Sequence, residues 1–434
     1  MDREFDVTVF GATGLTGKHI VEHIYELASN EPNAFSQDFR WAVAGRNETA
    51  LVQVVETISS RYPKVSIQAP GMIIANVVRR EQMDNMAKRS KVIINAVGPF
   101  RFMGEYVVRS CVEHGCDYVD VTGEPEFVER MQRTYHDQAV RKKVTLVHAC
   151  GFDSVPSDLG VLYIKRLFAT RDWTPAHVEM FLRIYPGQNG LRVGYATYES
   201  AVHGFGSVEL LREIRKVSNL APLPRTGPRL AFHKRLTYDR ELQMYHVPFP
   251  FADSAIVRLS QQLFLTGYGE PPKKTSEAMP PTVQFAAYVL LPSLWIAILY
   301  YVYGFIFSFL TSSPWGRNLL LKHPERFSHG IFSKTEPSDA DLRGTHFEMI
   351  FRAKGYPSKI AGTGMPNQVI RLAVRGPEMG YIATPRIVLQ CALTLLRRKP
   401  DQIVPLGVLT PSVAFWNTDI VERLQHVGIT FEQL

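Results

Sequence analysis

Short strand-like runs and amphipathic stretches alternate through the first third of the chain. Strand-like runs lie at residues 5–10, 40–44, 91–97, 117–121 and 144–149, with shorter apolar runs within 65–75. Most end at Gly, Pro or Asn, which marks buried strands running into turns. Between them, apolar residues recur at helical spacing. In the first such stretch Ile20, Val21, Ile24, Leu27 and Ala28 share one face, and Lys18, His19, Glu22 and Glu26 the other. Further helices are expected over 49–60, 83–87 and 104–115, and from Pro125 to about Lys142. Six strand–helix alternations predict an α/β fold with a parallel, doubly wound sheet and right-handed crossovers.

Past Gly151 the alternation stops. Ser154 or Ser157 can cap a helix, with Pro156 in its first turn, that runs to about Phe168. The pattern then gives a strand at 178–185, a glycine turn at 186–190, a helix at 195–205 and a proline loop at 221–227. More strands are expected between 232 and 257, at 345–352 and at 369–374, and an amphipathic helix at 384–396. This is an α+β pattern.

One stretch breaks the polarity of the whole. No charged residue occurs between Glu277 and Arg317, and residues 283–310 are almost wholly apolar. As one helix they exceed the ~20 residues that span a bilayer. Trp295 and the tyrosines at 300, 301 and 303 suit a lipid interface. A single crossing would separate the two ends of a fold that looks continuous. Lys273 and Lys274 precede the stretch, and Arg317 and Lys322 follow it, which suits two ends on the same face. The expectation is a re-entrant hairpin or in-plane helix on a membrane or droplet monolayer.

The formal net charge is +8, but the basic residues are dispersed, with no run longer than a triplet. That excludes a nucleic-acid groove and suits an anionic cofactor or membrane surface. The four cysteines have no CxxC spacing and read as reduced core thiols of a cytosol-facing protein. Asp2, Arg3 and Glu4 lead directly into the first strand, so no signal peptide is expected.

Candidate chemistry concentrates after the first strand. Gly11, Ala12, Thr13, Gly14, Leu15, Thr16 and Gly17 form G-x-x-G-x-x-G between a strand and a helix. The three glycines allow a sharp turn, close approach to a diphosphate and tight helix packing, and the helix start attracts phosphate. The second strand ends Ala44-Gly45-Arg46. Where an NAD site places an acid for the ribose 2′-hydroxyl, Arg46 can pair with a 2′-phosphate. NADP is therefore expected, with NAD the alternative. Asn95, Ala96, Val97, Gly98 and Pro99 end the fourth strand and are expected near the nicotinamide ribose. His19 and His23 fit H-x-x-E-H, a zinc-peptidase spacing, but no third ligand is near. They read as solvated residues, and no metal is expected. Asp153, Tyr195, Tyr198 and His203 carry titratable groups with no base spacing linking them. No catalytic residue is assigned.

In order, the chain carries the glycine turn, Ala44-Gly45-Arg46, residues 95–100 (NAVGPF), 120–124 (DVTGE), 151–158 (GFDSVPSD) and 376–385 (GPEMGYIATP). Together these resemble the saccharopine dehydrogenase-like oxidoreductase family, whose relatives include saccharopine dehydrogenase and the trans-acting enoyl reductases of glycolipid synthesis. The resemblance covers nearly the whole chain. It implies a Rossmann domain binding NAD(P) and an inserted α+β substrate domain. For animal members it also implies association with lipid droplets; the expected location is a droplet or membrane surface facing the cytosol, with the mitochondrion as an alternative. The ranges follow: 1–150 for the Rossmann domain, 151–277 with 317–375 for the substrate domain, 278–316 for the membrane-associated segment, and 376–434 returning to the Rossmann domain. The expected function is an NADP-preferring reductase acting on a lipid-like molecule at a membrane or droplet. The alternatives are a non-catalytic droplet scaffold or redox sensor, and saccharopine-type amino-acid chemistry. Oligomeric state is not legible.

Overall fold

The computed structural model describes residues 3–31, 33–65, 67–188, 190–205, 208–275, 277–357 and 364–434. The chain divides into two compact units. The first comprises Met1–Phe152, Tyr268–Ser276 and Gly380–Leu424; the second comprises Asp153–Gly267, Glu277–Met379 and Gln425–Leu434.

The first unit begins with β1 (Phe5–Phe10), α1 (Leu15–Asn30), β2 (Trp41–Gly45), α2 (Glu48–Ser59), β3 (Gly71–Ile74) and α3 (Arg80–Arg89). It continues through β4 (Ser90–Asn95), α4 (Phe100–His114), β5 (Asp117–Asp120), α5 (Pro125–Arg141) and β6 (Thr145–Val147). The second unit then opens with α6 (Val155–Ala169), β7 (Thr174–Tyr185), β8 (Val193–Gly194), α7 (Tyr195–Phe205) and α8 (Val208–Lys216). Next come β9 (Thr237–Asp239), β10 (Met244–Pro248), α9 (Asp253–Leu265), β11 (Gln284–Leu291), α10 (Leu294–Thr311) and α11 (Pro314–Lys322). Short α12 (Pro324–Phe327), β12 (Phe332–Ser333) and α13 (Asp339–Arg343) lead to β13 (His346–Tyr356) and β14 (Gln368–Pro377). The chain returns to the first unit with α14 (Thr384–Arg398) and β15 (Gly407–Leu409), and it ends on β16 (Thr430–Gln433) in the second.

The first sheet has the order β15-β6-β5-β4-β1-β2-β3. All its pairings are parallel, as the alternation predicts. β15 is a strand the pattern does not announce. Its three residues pair with β6, and Thr145 Oγ1 donates to the Pro405 carbonyl nearby (2.8 Å).

α14 packs along α1 and against β4 and β5. This overturns one expectation: His23 is buried rather than solvated. α14 packs beside the half-buried polar face of α1, and its Arg386 lies 3.6 Å from Glu26. Glu26 in turn meets His23 Nδ1 at 2.9 Å. The four cysteines are buried and unbridged.

The second sheet has the order β16-β14-β13-β7-β11-β10-β9 and is mixed. β7 and β11 run parallel, and the other pairs are antiparallel. α6 packs on β7, β13 and β14, and α9 on β11. The units differ from the sequence ranges in three places, one being residues 278–316, expected as a separate segment but part of the second unit. Residues 268–276 belong to the first unit: Tyr268 stacks on His136 at 4.0 Å, and Trp416 Nε1 donates to the Gly269 carbonyl (2.9 Å). The last ten residues belong to the second, because β16 pairs with β14.

The uncharged stretch is not one helix. Its first part is β11, a central strand of the second sheet. The chain turns at Pro292-Ser293, and the Ser293 hydroxyl accepts from Ile296 N to cap α10 (3.3 Å). Only 17% of α10 is buried, against 78% of a second apolar helix at Met379–Arg398, which is core.

Candidate functional site

β1 and β4 are neighbours at the point where strand order reverses, with Phe10 opposite Asn95. This crevice, at the carboxyl ends of the strands, is where open α/β sheets take ligands. Gly11 has φ of +90°, a conformation that glycine adopts freely. A Cβ there would lie 2.8 Å from Val97 Cγ2, so the glycine turn and the 95–99 loop touch. At Gly17 a Cβ would lie 2.0 Å from the Gly11 carbonyl oxygen. That glycine lets α1 start directly behind the strand.

Gly14 differs. It is exposed with ordinary extended dihedrals, and the nearest atom to an added Cβ is the Gly11 carbonyl oxygen at 3.3 Å. The protein's own packing presses far less on this position than on Gly17, and an exposed glycine at the turn suits the close approach of a diphosphate. No side chain caps α1, and no acid sits in its first turn. Its free N–H groups and positive dipole end therefore suit a phosphate. Ala12 is buried, while Thr13, Leu15 and Thr16 are half-buried around the turn.

Arg46 follows β2, and β2 is held to the turn by Gly11 N donating to the Ala44 carbonyl (2.9 Å). Its side chain is exposed and makes no ion pair among the described residues. Asn47 beside it caps α2, its Oδ1 accepting from Ala50 N (3.1 Å). The fork of Arg46 is left for an anion of matching geometry, such as a 2′-phosphate.

The 95–99 loop is built from below. Asn95 is fully buried. Its Oδ1 accepts from Val97 N (3.0 Å), and its Nδ2 donates to Tyr118 Oη (3.0 Å). Its side chain therefore shapes the loop and does not itself face solvent. Ala96, Val97 and Pro99 are half-buried, and Gly98 is exposed. The Glu124 carboxylate caps α4, accepting from Phe100 N (3.0 Å) and Arg101 N (3.1 Å).

Sequence reasoning missed a buried network beneath this rim. The Asp120 carboxylate accepts from Tyr118 Oη (2.9 Å), His148 Nδ1 (2.6 Å), Thr122 N (3.2 Å) and Ala149 N (2.9 Å). It thereby ties β5 to the loop after β6, where Ala149 has φ of +59°. Asp120 and His148 are both wholly buried, so they position the loops. The signal was the polar residues at the strand ends. Sequence spacing alone did not pair them.

The second unit places the other candidates. Asp153 is half-buried, and burial raises its pKa to about 6. Asp253 is fully buried, and the Ser157 hydroxyl nearby only partly offsets the cost of burying its carboxyl. Burial, with the carboxyls of Asp153 and Asp158 nearby, pushes its pKa well up. Burial brings Lys165 down to about 7, and its Nζ lies 3.4 Å from Gln261 Oε1. Tyr198 packs between Phe307 and Phe332; burial takes its hydroxyl to about 12. Tyr195 sits under Lys334 Nζ (5.3 Å), and His203 is half-buried on the same helix. Tyr198 is thus a packing residue.

Residues 7–147 match the family profile described as the saccharopine dehydrogenase NADP binding domain. The chain is 38% identical to the human saccharopine dehydrogenase-like oxidoreductase, covering 99% of this chain and 97% of that protein. It is 33% identical to a Caenorhabditis elegans protein named lipid droplet localized protein, over 99% of this chain and 98% of the relative. Saccharopine dehydrogenase (L-Glu forming) of Saccharomyces cerevisiae shares the fold, with a TM-score of 0.52 at 11% identity, covering 99% of this chain and 100% of that one. The cofactor is NADP, and Gly11–Gly17 with Arg46 have the chemistry to hold its phosphates. With a sheet of nucleotide-binding order and relatives matched along their whole length, the chain belongs to the saccharopine dehydrogenase-like oxidoreductase family.

Proposed function

We propose that this protein is an NADP-dependent reductase of a lipid-like substrate, working cytosol-facing at a droplet or membrane surface. The observation that carries this is the joining of a nucleotide-binding unit to an exposed apolar helix in one chain. On α10, Trp295 is 67% exposed, Phe305 75% and Phe309 69%, with Trp315 at 69% just beyond. Monomers rarely leave so large an apolar patch to water. Ala297 and Leu310 are buried, with Tyr300 and Phe307 half-buried between them. This narrow stripe keeps the helix against its own unit along its length, which supports an in-plane seat over a crossing. The name of the Caenorhabditis elegans relative supports the droplet as the surface.

NADP, when bound, supplies hydride exchange. The Gly11–Gly17 backbone and Arg46 would bind its phosphates, and residues 95–99 would shape the wall beside the nicotinamide. A scaffold or sensor is the second reading. What favours it is that the hydrogen-bonded acid–base pair described here, Asp120 with His148, is buried.

Lipid profiles of cells carrying wild type or Gly14→Asp test the choice. The enzyme reading expects a lipid class that changes with wild type alone. Equal profiles for both proteins support the scaffold.

A further inference from the structure

A groove of about 320 Å³ opens within the second unit, at the lower end of the ~300–1,000 Å³ typical of ligand sites. One wall is the proline-rich strap around residues 223–232; the other is α9 with the start of β11. Three arginines line it, Arg225 and Arg229 from the strap and Arg258 from α9, and no acid does. Arg225 and Arg229 are exposed and make no ion pair among the described residues. Leu223, Leu230, Phe232 and Phe285 supply apolar surface beside them.

The strap is held in place. Gln284 Nε2 donates to the Pro228 carbonyl (2.8 Å) and the Thr226 carbonyl (3.1 Å), while its Oε1 accepts from Leu230 N (2.9 Å). His177 Nε2 reaches the Pro228 carbonyl (2.8 Å), and His233 N donates to Tyr288 Oη (3.1 Å). A segment with little regular structure is thus fixed to β7 and β11, and the arginines are presented on a built wall. Arginine forks favour carboxylate and phosphate oxygens, and the rings and leucines favour hydrocarbon.

We propose that this groove binds a single-chain lipid anion. Arg225, Arg229 and Arg258 hold its oxyanion headgroup, and the first part of its acyl chain lies on Leu230 and Phe232. The groove belongs to the second unit and the glycine turn to the first, and its chemistry does not depend on the reductase reading.

The test uses the full-length chain, with oleate and lysophosphatidate titrated below their micelle concentrations by calorimetry. Monoacylglycerol and inorganic phosphate serve as the uncharged and chainless probes. Both anionic lipids should bind, and monoacylglycerol and phosphate should each bind at least ten-fold more weakly. Arg225→Gln/Arg229→Gln should weaken the lipid anions about ten-fold or more, as loss of charged hydrogen bonds does. Unchanged circular dichroism and Tm establish that this variant folds, and Arg225→Lys/Arg229→Lys should recover part of the affinity. A Trp295→Ser/Phe305→Ser/Phe309→Ser variant should bind as wild type, which separates the groove from α10. Equal affinity of the double glutamine variant and wild type overturns the proposal. So does monoacylglycerol binding as tightly as oleate, phosphate matching lysophosphatidate, or loss of binding in the α10 variant.

Discussion

At the scale of single residues, the glycines of the turn divide by what each avoids. A methyl at position 17 meets the Gly11 carbonyl oxygen at 2.0 Å, whereas one at position 14 meets it at 3.3 Å. Gly17→Ala should lower Tm by several degrees, roughly the effect of 1–3 kcal/mol of overpacking. Gly14→Ala should leave Tm nearly unchanged yet weaken NADPH binding, as fluorescence titration would show. Arg46→Gln should cost NADPH about ten-fold or more and leave NADH little changed, since only NADPH carries the 2′-phosphate. Equal losses for both nucleotides would remove Arg46 from that role. Asp253 gives a pH prediction. Its folded pKa is raised, so the unfolded chain ionises first, and stability falls as pH rises from about 4 toward the folded value. Asp253→Asn removes this penalty: thermal melts should show a higher Tm at pH 7 and a smaller gain at pH 4. The glycine turn and the place of Arg46 after β2 were legible because they need only a strand, a turn and a helix in sequence. The Asp120–His148 bond was not. Its partners stand 28 positions apart, and only the pairing of β5 with β6 makes them neighbours.

At the scale of elements, the uncharged stretch shows what composition cannot separate. β11 is apolar because it lies in the middle of a sheet. α10 is apolar although most of it faces outward. Both read alike by hydropathy; the structure divides them at Pro292-Ser293. The Met379–Arg398 helix is also apolar enough to span a membrane but is mostly buried. Its spacing reads as amphipathic, yet it packs on α1, β4 and β5. Trp295→Ser/Phe305→Ser/Phe309→Ser should abolish flotation with droplets or vesicles and leave NADPH binding intact. With tags at both termini, a protease should cut the two with equal ease when the protein is on membranes. Opposite protection would mean a crossing and defeat the in-plane seat.

At the scale of the whole molecule, each unit is assembled from three stretches of chain. The insertion after the sixth strand and the return near residue 380 could be read from where the alternation stops and from the family motifs. The short returns could not. β15 has three residues and β16 four, too few for any periodicity to register. NADPH should slow hydrogen exchange in residues 8–20 and 93–100 and leave β13 and β14 unchanged. At 100 times its Kd it should add about 2.7 kcal/mol to the first unit's stability. The late arrival of β15 also sets an order of events during synthesis. Thr145 waits for Pro405, 260 positions later, which at about 5–20 residues per second is roughly 13–50 s. Throughout that interval β6 has an open edge, and partway through it α10 leaves the ribosome. The nascent chain thus shows an unpaired strand and a greasy helix at the same time, so holding chaperones or early contact with lipid should govern how much of it matures.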